Sequence, residues 1–404
     1  MIKASWLLTA ALAFTGVAGV STALLLPSVA EAEQKIGPKV GVPLKAAQEA
    51  IQKKNWNQAI AKIKEAQGIQ PRTAYEDYKI NELLWYVYLQ QGRNADAARL
   101  LEQQIGSAQM PAAEKVQRTK TLSQLYFRAE NYPKAVQTGS QYLKSVPGDR
   151  DVQMLVAQGY FLQKDYKNAS AAADRMLKAG GKPTEELLQL KLRSSYELKD
   201  EAGTTATLEQ LLTYYPSPDT WDRLLSGYIE QTNHDHELLA LYRLSEDVGS
   251  LTKPRQYMDM AQALYVAGFA IEAQRIMEKG LEAGLFSGED LTRAQRTRDT
   301  AQRKADEDRK ALAGAAGALA AAKTGDAAYD VGKLYFSAGD YANASAALSK
   351  AVTLPGLSDK DEAYMELGIA LTRQGKKAEA VKAFDAIKDP RFAEVARLWK
   401  LRAR

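Results

Sequence analysis

The chain has 404 residues, with 54 Lys+Arg, 49 Asp+Glu, two His and no Cys, for a net charge of +5. Without Cys there is no disulfide framework, no Cys-ligated metal and no thiol nucleophile, and two His leave little for a His-rich metal centre. A composition of 46% hydrophobic and 25% charged residues describes a folded protein, and so mild a basic excess points away from a nucleic-acid binder, which concentrates its basic side chains on one face.

The N-terminus reads as an address. After Lys3 the chain carries no charge from Ala4 to Leu26. Then Ala30-Glu31-Ala32 supplies the small-residue pattern of a secretory cleavage site, placing the cut between Ala32 and Glu33. The expectation is a signal peptide over 1–32 and a periplasmic protein. The rival reading is an uncleaved inner-membrane anchor facing the periplasm, since an uncharged stretch from Ala4 to Leu26 is long enough to span a bilayer. Residues 33–41, with Gly37, Pro38 and Gly41, read as a flexible lead-in.

From there one phrase recurs: a Gly or polar turn, an aromatic two positions on, an Ala three positions later. It appears at Lys54-Asn55-Trp56…Ala59, Gly92…Ala97, Glu130-Asn131-Tyr132…Ala135 and Lys164-Asp165-Tyr166…Ala169. It returns at Gly268…Ala273, Gly339-Asp340-Tyr341…Ala344 and Gly375…Ala380. Weaker copies turn at Asp200 and Thr232, and a very degenerate one falls near Arg303. Successive turns keep a period of roughly 36 residues, which signals a helical repeat rather than two or three unrelated domains.

Each unit predicts a helical hairpin. Ala328, Val331, Gly332 and Tyr335 share one face of a first helix; Ala344, Leu348 and Ala351 share one face of a second. Small Gly332 and Ala344 predict close approach of the pair, and Pro355 ends it. The last unit repeats the pattern with Tyr364, Leu367, Gly368, Leu371, Ala380, Phe384 and Ile387.

These residues resemble the tetratricopeptide repeat (TPR), over roughly residues 42–404. The resemblance implies an all-α solenoid of antiparallel helix pairs in a right-handed superhelix, with first helices lining the concave face. The predicted organisation is an N-terminal array over 42–286 of about seven units, then a degenerate charged and Ala-rich helical unit over 287–323. C-terminal units and a basic capping helix follow over 324–404. Glu289 to Lys310 holds seven basic and six acidic residues, which suits a solvated helix with i,i+4 pairs. The segment over 287–323 reads as a distorted repeat, or as a hinge or docking arm.

Little in the sequence reads as catalytic chemistry. His234-Asp235-His236 lacks the three- or four-residue spacing of helical metal ligands and reads as a polar turn. Gly180-Gly181-Lys182-Pro183-Thr184 puts Pro where a phosphate loop needs Ser or Thr. No nucleophile motif is found, and no enzyme activity, metal or cofactor is expected.

What remains is binding surface. Large apolar residues follow the structural Tyr or Leu of several first helices: Leu89, Phe127, Phe161, Ile229, Tyr265 and Phe336. Tyr86, Gln124, Arg128, Gln158, Gln262 and Lys333 lie near them on the same helices. On the implied superhelix they face the groove, where aromatic and amide groups suit a peptide or amphipathic helix; packing between the paired helices is the alternative. The charge is uneven: Gly375 to Arg404 holds nine basic and four acidic groups, and everything before that segment balances. Arg397, Lys400, Arg402 and Arg404 thus form a basic end, read either as a solvated cap or as a site for an anionic partner or membrane surface.

An exported chain of this length filled with degenerate repeats resembles the TPR proteins encoded beside TonB, ExbB and ExbD in proteobacteria, which end in an Asp-Pro break and a Trp-bearing helix. Here that reads Phe384-Asp385-Ala386-Ile387-Lys388-Asp389-Pro390…Trp399. The resemblance implies a non-enzymatic accessory of TonB-dependent uptake. The alternative is an adaptor in outer-membrane protein, polysaccharide or peptidoglycan assembly.

Overall fold

The computed structural model describes residues 35–232 and 235–403, and its described secondary structure is helical. The proposed cleavage site at Ala32 and Glu33, His234 and Arg404 lie outside the described residues. The chain divides into two compact units between Gly159 and Tyr160. No helix among the described residues is long and apolar enough to cross a membrane.

The first unit holds α1 (Pro38–Gln52), α2 (Trp56–Gly68), α3 (Ala74–Gln90), α4 (Asn94–Gly106), α5 (Ala112–Arg128), α6 (Tyr132–Ser145) and most of α7 (Arg150–Leu162). Helix α1 begins at Pro38, so the flexible lead-in expected over 33–41 is helical from Pro38 onward. Pro38 opens the helix where its missing N–H costs nothing, and the buried Val40, Pro43 and Leu44 hold the first turns in place. Gly37 N donates to Glu76 Oε1 at 2.8 Å, tying this start to α3.

The second unit continues with α8 (Tyr166–Lys178), α9 (Glu185–Glu197), α10 (Glu201–Tyr214), α11 (Pro218–Gln231), α12 (Asp235–Asp247), α13 (Pro254–Val266) and α14 (Ala270–Glu282). Then come α15 (Gly288–Ala321), α16 (Gly325–Ser337), α17 (Tyr341–Ala351), α18 (Lys360–Arg373), α19 (Lys377–Asp385) and α20 (Pro390–Ala403).

The turn between paired helices is one small device used repeatedly. In eight of these turns the residue closing the first helix is left-handed: Gly92, Gly268, Gly339 and Gly375 where glycine is present, and Lys54, Glu130, Lys164 and Lys199 where it is not; Thr232, after α11, is instead extended. The next amide bonds back to a carbonyl in the last turn of the helix, as Asn131 N to Tyr126 O at 2.9 Å and Asp340 N to Tyr335 O at 3.0 Å. This satisfies carbonyls that the helix end would leave bare. That same residue, when Asn or Asp, then caps the second helix: Asn55, Asn131, Asp165, Asp200 and Asp340 each accept from the amide three positions on. At the weak copy the left-handed residue is Lys199, with Asp200 as the cap.

Two glycines set the closeness of the pairs. A Cβ on Gly332 would sit 2.8 Å from Leu348 Cδ2, and one on Gly368 would sit 2.3 Å from Phe384 Cε1. The predicted turn near Arg303 is absent. Residues 288–321 form one unbroken helix of 34 residues. The aspartates there pair along the helix instead, Asp299 with Arg298, Asp306 with Arg309 and Asp308 with Lys304. Straight-chain Arg, Lys, Gln and Glu favour helix throughout. Ala294, Ala301, Ala305 and Ala315 form its buried line. Ala305 packs with Ala270 and Ile271 of α14. At its far end Lys350 Nζ donates to the carbonyl of Leu319, which also places a cation on the negative end of the helix dipole.

Candidate binding surfaces

In the first unit the first helices adjoin through ion pairs. Arg118 of α5 lies 3.9 Å from Glu82 of α3, and its guanidinium sits 5.2 Å from the Trp85 ring centroid. Lys120 reaches Asp149, just before α7, at 2.6 Å. The Tyr142 hydroxyl donates to the same carboxylate at 2.8 Å; burial chiefly, and that carboxylate next, push the phenol up to about 12. On these helices Tyr86, Leu89, Gln124, Phe127 and Gln158 are half-buried, and Arg128 is exposed. Phe127 meets Tyr132, at the start of the next helix, edge-on at 5.4 Å between centroids. The ring thus packs within its own helix pair and leaves only part of its surface to solvent.

In the second unit the same positions differ among themselves. Phe161 is half-buried and repeats the edge-on contact with Tyr166 at 5.2 Å. Ile229 packs against the core. Gln262 and Tyr265 are exposed. Phe336, however, is 1% exposed and stands between Phe269 at 5.9 Å and Tyr341 at 5.3 Å. Lys333 Nζ donates to the Ala267 carbonyl at 2.7 Å. The groove assignment fails for these two: Phe336 is core, and Lys333 caps the end of α13.

The reason is a charged cluster that sequence reasoning missed. Arg243 of α12 is 2% exposed. Its guanidinium lies 4.1 Å and 4.4 Å from the centroids of Phe269 and Phe336. Its Nη2 donates to Glu272 Oε2 at 2.7 Å, and its Nη1 stands 3.8 Å from Glu366 Oε1. Arg373 donates to the Tyr341 hydroxyl at 2.6 Å and lies 3.5 Å from Glu246 and 3.6 Å from Glu272. Burial alone would raise the Glu246 carboxyl; the bonds from Arg275, with Arg373 and Lys279 close by, hold it down at about 2. The signal was present: Glu366 sits three residues after Ala363 and four before Ala370, on the apolar stripe of α18.

The basic end is likewise used inside the molecule. Arg397 reaches Glu209 of α10 at 2.6 Å and the Tyr228 hydroxyl of α11 at 3.0 Å. Arg402 reaches Asp247 at 2.9 Å, and Lys400 reaches Asp385 at 2.8 Å. Trp399, fully buried, stacks with Phe384 at 6.3 Å and donates its Nε1 to Ala240 O at 3.1 Å. Arg397 and Arg402 thus tie α20 to α10, α11 and α12, and Lys400 ties it to α19, so each of these three cations is paired within the chain.

A cleft of about 980 Å³ opens beside α20, lined by Tyr196, Thr205, Arg223, Gly227, Tyr228 and Arg397 among others. Gly227 lies in the middle of α11, where a Cβ would meet nothing within 4 Å. Among the described residues no cluster of three or more His, Asp and Glu could hold a metal; His236 Nδ1 is instead 2.7 Å from Glu362 Oε1.

Sequence models described as tetratricopeptide repeat match residues 88–159 and 329–393. The chain carries tetratricopeptide repeats over those two stretches. Its fold is accordingly an all-α solenoid of that type. Solved structures similar to it include that titled "Structure of Naa15/Naa10 bound to HypK-THB", at 17% identity and a TM-score of 0.45. That match covers 90% of this chain and 61% of the other, so this chain spans less than two thirds of it. A tetratricopeptide repeat protein from Parabacteroides merdae matches at 11% identity and a TM-score of 0.33, covering 83% of this chain and all of the other. No curated protein matches. Repeats of this kind generally act as non-catalytic scaffolds for other proteins.

Proposed function

We propose that this protein is an exported, non-enzymatic scaffold that holds protein partners in the periplasm, as an accessory of TonB-dependent energy transduction. The observation that carries the scaffold reading is the run of tetratricopeptide pairs whose first helices in the first unit present Tyr86, Leu89, Gln124 and Arg128 at least partly to solvent. Half-covered aromatic and aliphatic groups beside amides and a cation suit a peptide or an amphipathic helix. Export rests on the N-terminal address, and the TonB assignment rests on the resemblance over the Asp-Pro break and the Trp-bearing end.

The test is photocrosslinking in intact cells from a benzophenone residue at Arg128, which is exposed. Capture of TonB, ExbB or ExbD supports the proposal. Capture of only outer-membrane, polysaccharide or peptidoglycan assembly components sinks the TonB role and favours the adaptor reading. Fractionation of the tagged chain with the cytoplasm refutes export.

A further inference from the structure

The contact that seats the C-terminal helices differs in kind from the contacts within each pair. Pairs close on alanine, glycine and leucine. The closure of α18 and α20 onto α10, α11 and α12 adds a chain of ionisable groups. His236 of α12 meets Glu362 of α18 at 2.7 Å. One turn along α18, Glu366 is 2% exposed; its Oε2 meets no donor, and its Oε1 is 3.8 Å from Arg243. Arg243 spends its short bonds on Glu272 instead.

The surroundings of Glu366 are unfavourable to a second negative charge. Glu362 on its own helix and Glu272 on α14 oppose it; Arg243 on α12 and Lys333 on α16 favour it. Lys333 is bonded to a backbone carbonyl. Tyr329 of α16 lies within the same electrostatic neighbourhood, and Tyr341 of α17 is bonded to Arg373. The charges of α19 and α20 point elsewhere, Asp385 to Lys400 and Arg402 to Asp247. Burial, one unbonded oxygen and two carboxylates nearby favour the neutral acid in this place.

We propose that this contact is a proton-controlled latch: with protons on Glu366 and His236, α18 and α20 stay seated on α10 to α12, and loss of those protons releases them. Both groups act in the same direction. Burial raises Glu366 to about 7, and the Glu362 hydrogen bond raises His236 above its ordinary value. A group raised in the closed form favours closure at low pH, and that contribution is lost as pH rises through its closed-form value. In the open form Glu366 returns toward its ordinary 4.5, so its contribution falls away between about 4.5 and 7, and His236 carries the loss upward from its ordinary 6.5. Opening leaves an ionised Glu366 free to reach water and uncovers the faces that bury Trp399 and Ala240.

The chain has no Cys, so two introduced cysteines report the latch cleanly. Spin labels at Glu230→Cys on α11 and Ala393→Cys on α20, both exposed sites, give a distance distribution by pulsed electron resonance. The expected result is a single narrow distribution at pH 5.5 and a second, longer population growing from there to about pH 8. The ratio of open to closed should rise by up to about tenfold per pH unit for each proton released. Glu366→Gln keeps the shape and neutrality of the acid, so it should open less than the parent at pH 8.5, through His236 alone. A wild-type distribution unchanged from pH 5.5 to 8.5 overturns the proposal, as does an E366Q protein that opens with the wild-type profile. Should E366Q fail to fold, hydrogen exchange on the unaltered chain decides. After correction for intrinsic rates, amides of α18 and α20 must exchange faster at pH 8 than at pH 6, while those of α13 and α14 must not; equal behaviour overturns the latch.

Discussion

Truncating two aromatics at equivalent repeat positions separates core from surface. Phe336 and Phe127 both follow the structural Tyr of a first helix. Phe336 is 1% exposed, with two ring neighbours and two guanidinium groups, Arg243 and Arg373, at 4.4 and 5.7 Å from its centroid. Burying a phenylalanine fully makes its truncation to Ala cost about 3–5 kcal/mol. Losing one face of the cation sandwich adds about 1 kcal/mol, because Arg243 and its carboxylates remain buried without that wall. Phe127 is half-buried with one edge-on partner, a contact of about 0.5–1.5 kcal/mol beyond area, so its loss should total about 1–2 kcal/mol. The chain forms two units, so a single melting temperature would blur the difference. Hydrogen exchange with peptide resolution reads each site where it acts. Phe336→Ala should speed exchange in α16 to α18 by at least about a hundredfold, while Phe127→Ala should speed α5 and α6 by about tenfold. Equal losses at the two sites would refute the distinction between a core ring and a partly exposed one. A Phe127→Ala protein losing more than about 3 kcal/mol, the range of a buried ring, would remove Phe127 from the binding surface.

The left-handed turn makes a stabilising prediction: Lys199, at φ 55°, carries a strain of about 1–2 kcal/mol that glycine avoids. Net of glycine's greater loss of chain freedom, Lys199→Gly should gain about 0.5–1 kcal/mol in urea unfolding; a loss would show that the lysine side chain matters more than the backbone. Gly368→Ala should lose up to about 2 kcal/mol, since overpacking Phe384 costs about 1–3 kcal/mol and better helix propensity returns about 1; Phe384→Leu in the same chain should restore part of it, and no rescue would place the cause elsewhere. Acid acts through Glu246, whose folded value of about 2 lies below the ordinary 4.5. A depressed carboxyl stabilises above its unfolded value and loses that contribution as pH falls toward the folded one, worth about 3 kcal/mol. Glu246→Gln should therefore flatten the stability of the second unit between pH 5 and 2, and a profile as steep as the parent's would count against this carboxylate.

The repeat was legible because its signals are local. A left-handed turn needs Gly or tolerates a strained polar residue, an Asx caps the next helix, and close pairs need Gly or Ala at facing positions. All three leave residue types at fixed spacing, and they also show why Lys54 or Glu130 substitutes for Gly92 without breaking the pattern. The extra unit near Arg303 was an extrapolation from period alone. The residues there favour helix, and local chemistry overrode the period. The binding face was legible only in part, because Phe127 and Phe336 are equivalent in sequence. What separates them is the approach of α12 and α18, from residues far away in the chain.

The basic tail shows the same limit from the electrostatic side. All of the net +5 lies between Gly375 and Arg404, which by count alone suggests an exposed cationic end. Balance over the preceding residues says nothing about where their carboxylates are spent. Glu209 and Asp247 stand on α10 and α12, at 2.6 Å from Arg397 and 2.9 Å from Arg402, so two of the surplus cations meet acidic groups from far earlier in the chain. Such pairs are partly exposed and individually weak. Their place here bears on orientation: with Arg397 on α10 and Arg402 on the end of α12, Trp399 enters with its Nε1 toward Ala240. The buried aromatic supplies the free energy of seating and the paired arginines fix its direction, so an end that looks built to attract a foreign anion instead selects one docking pose for the chain's own last helix.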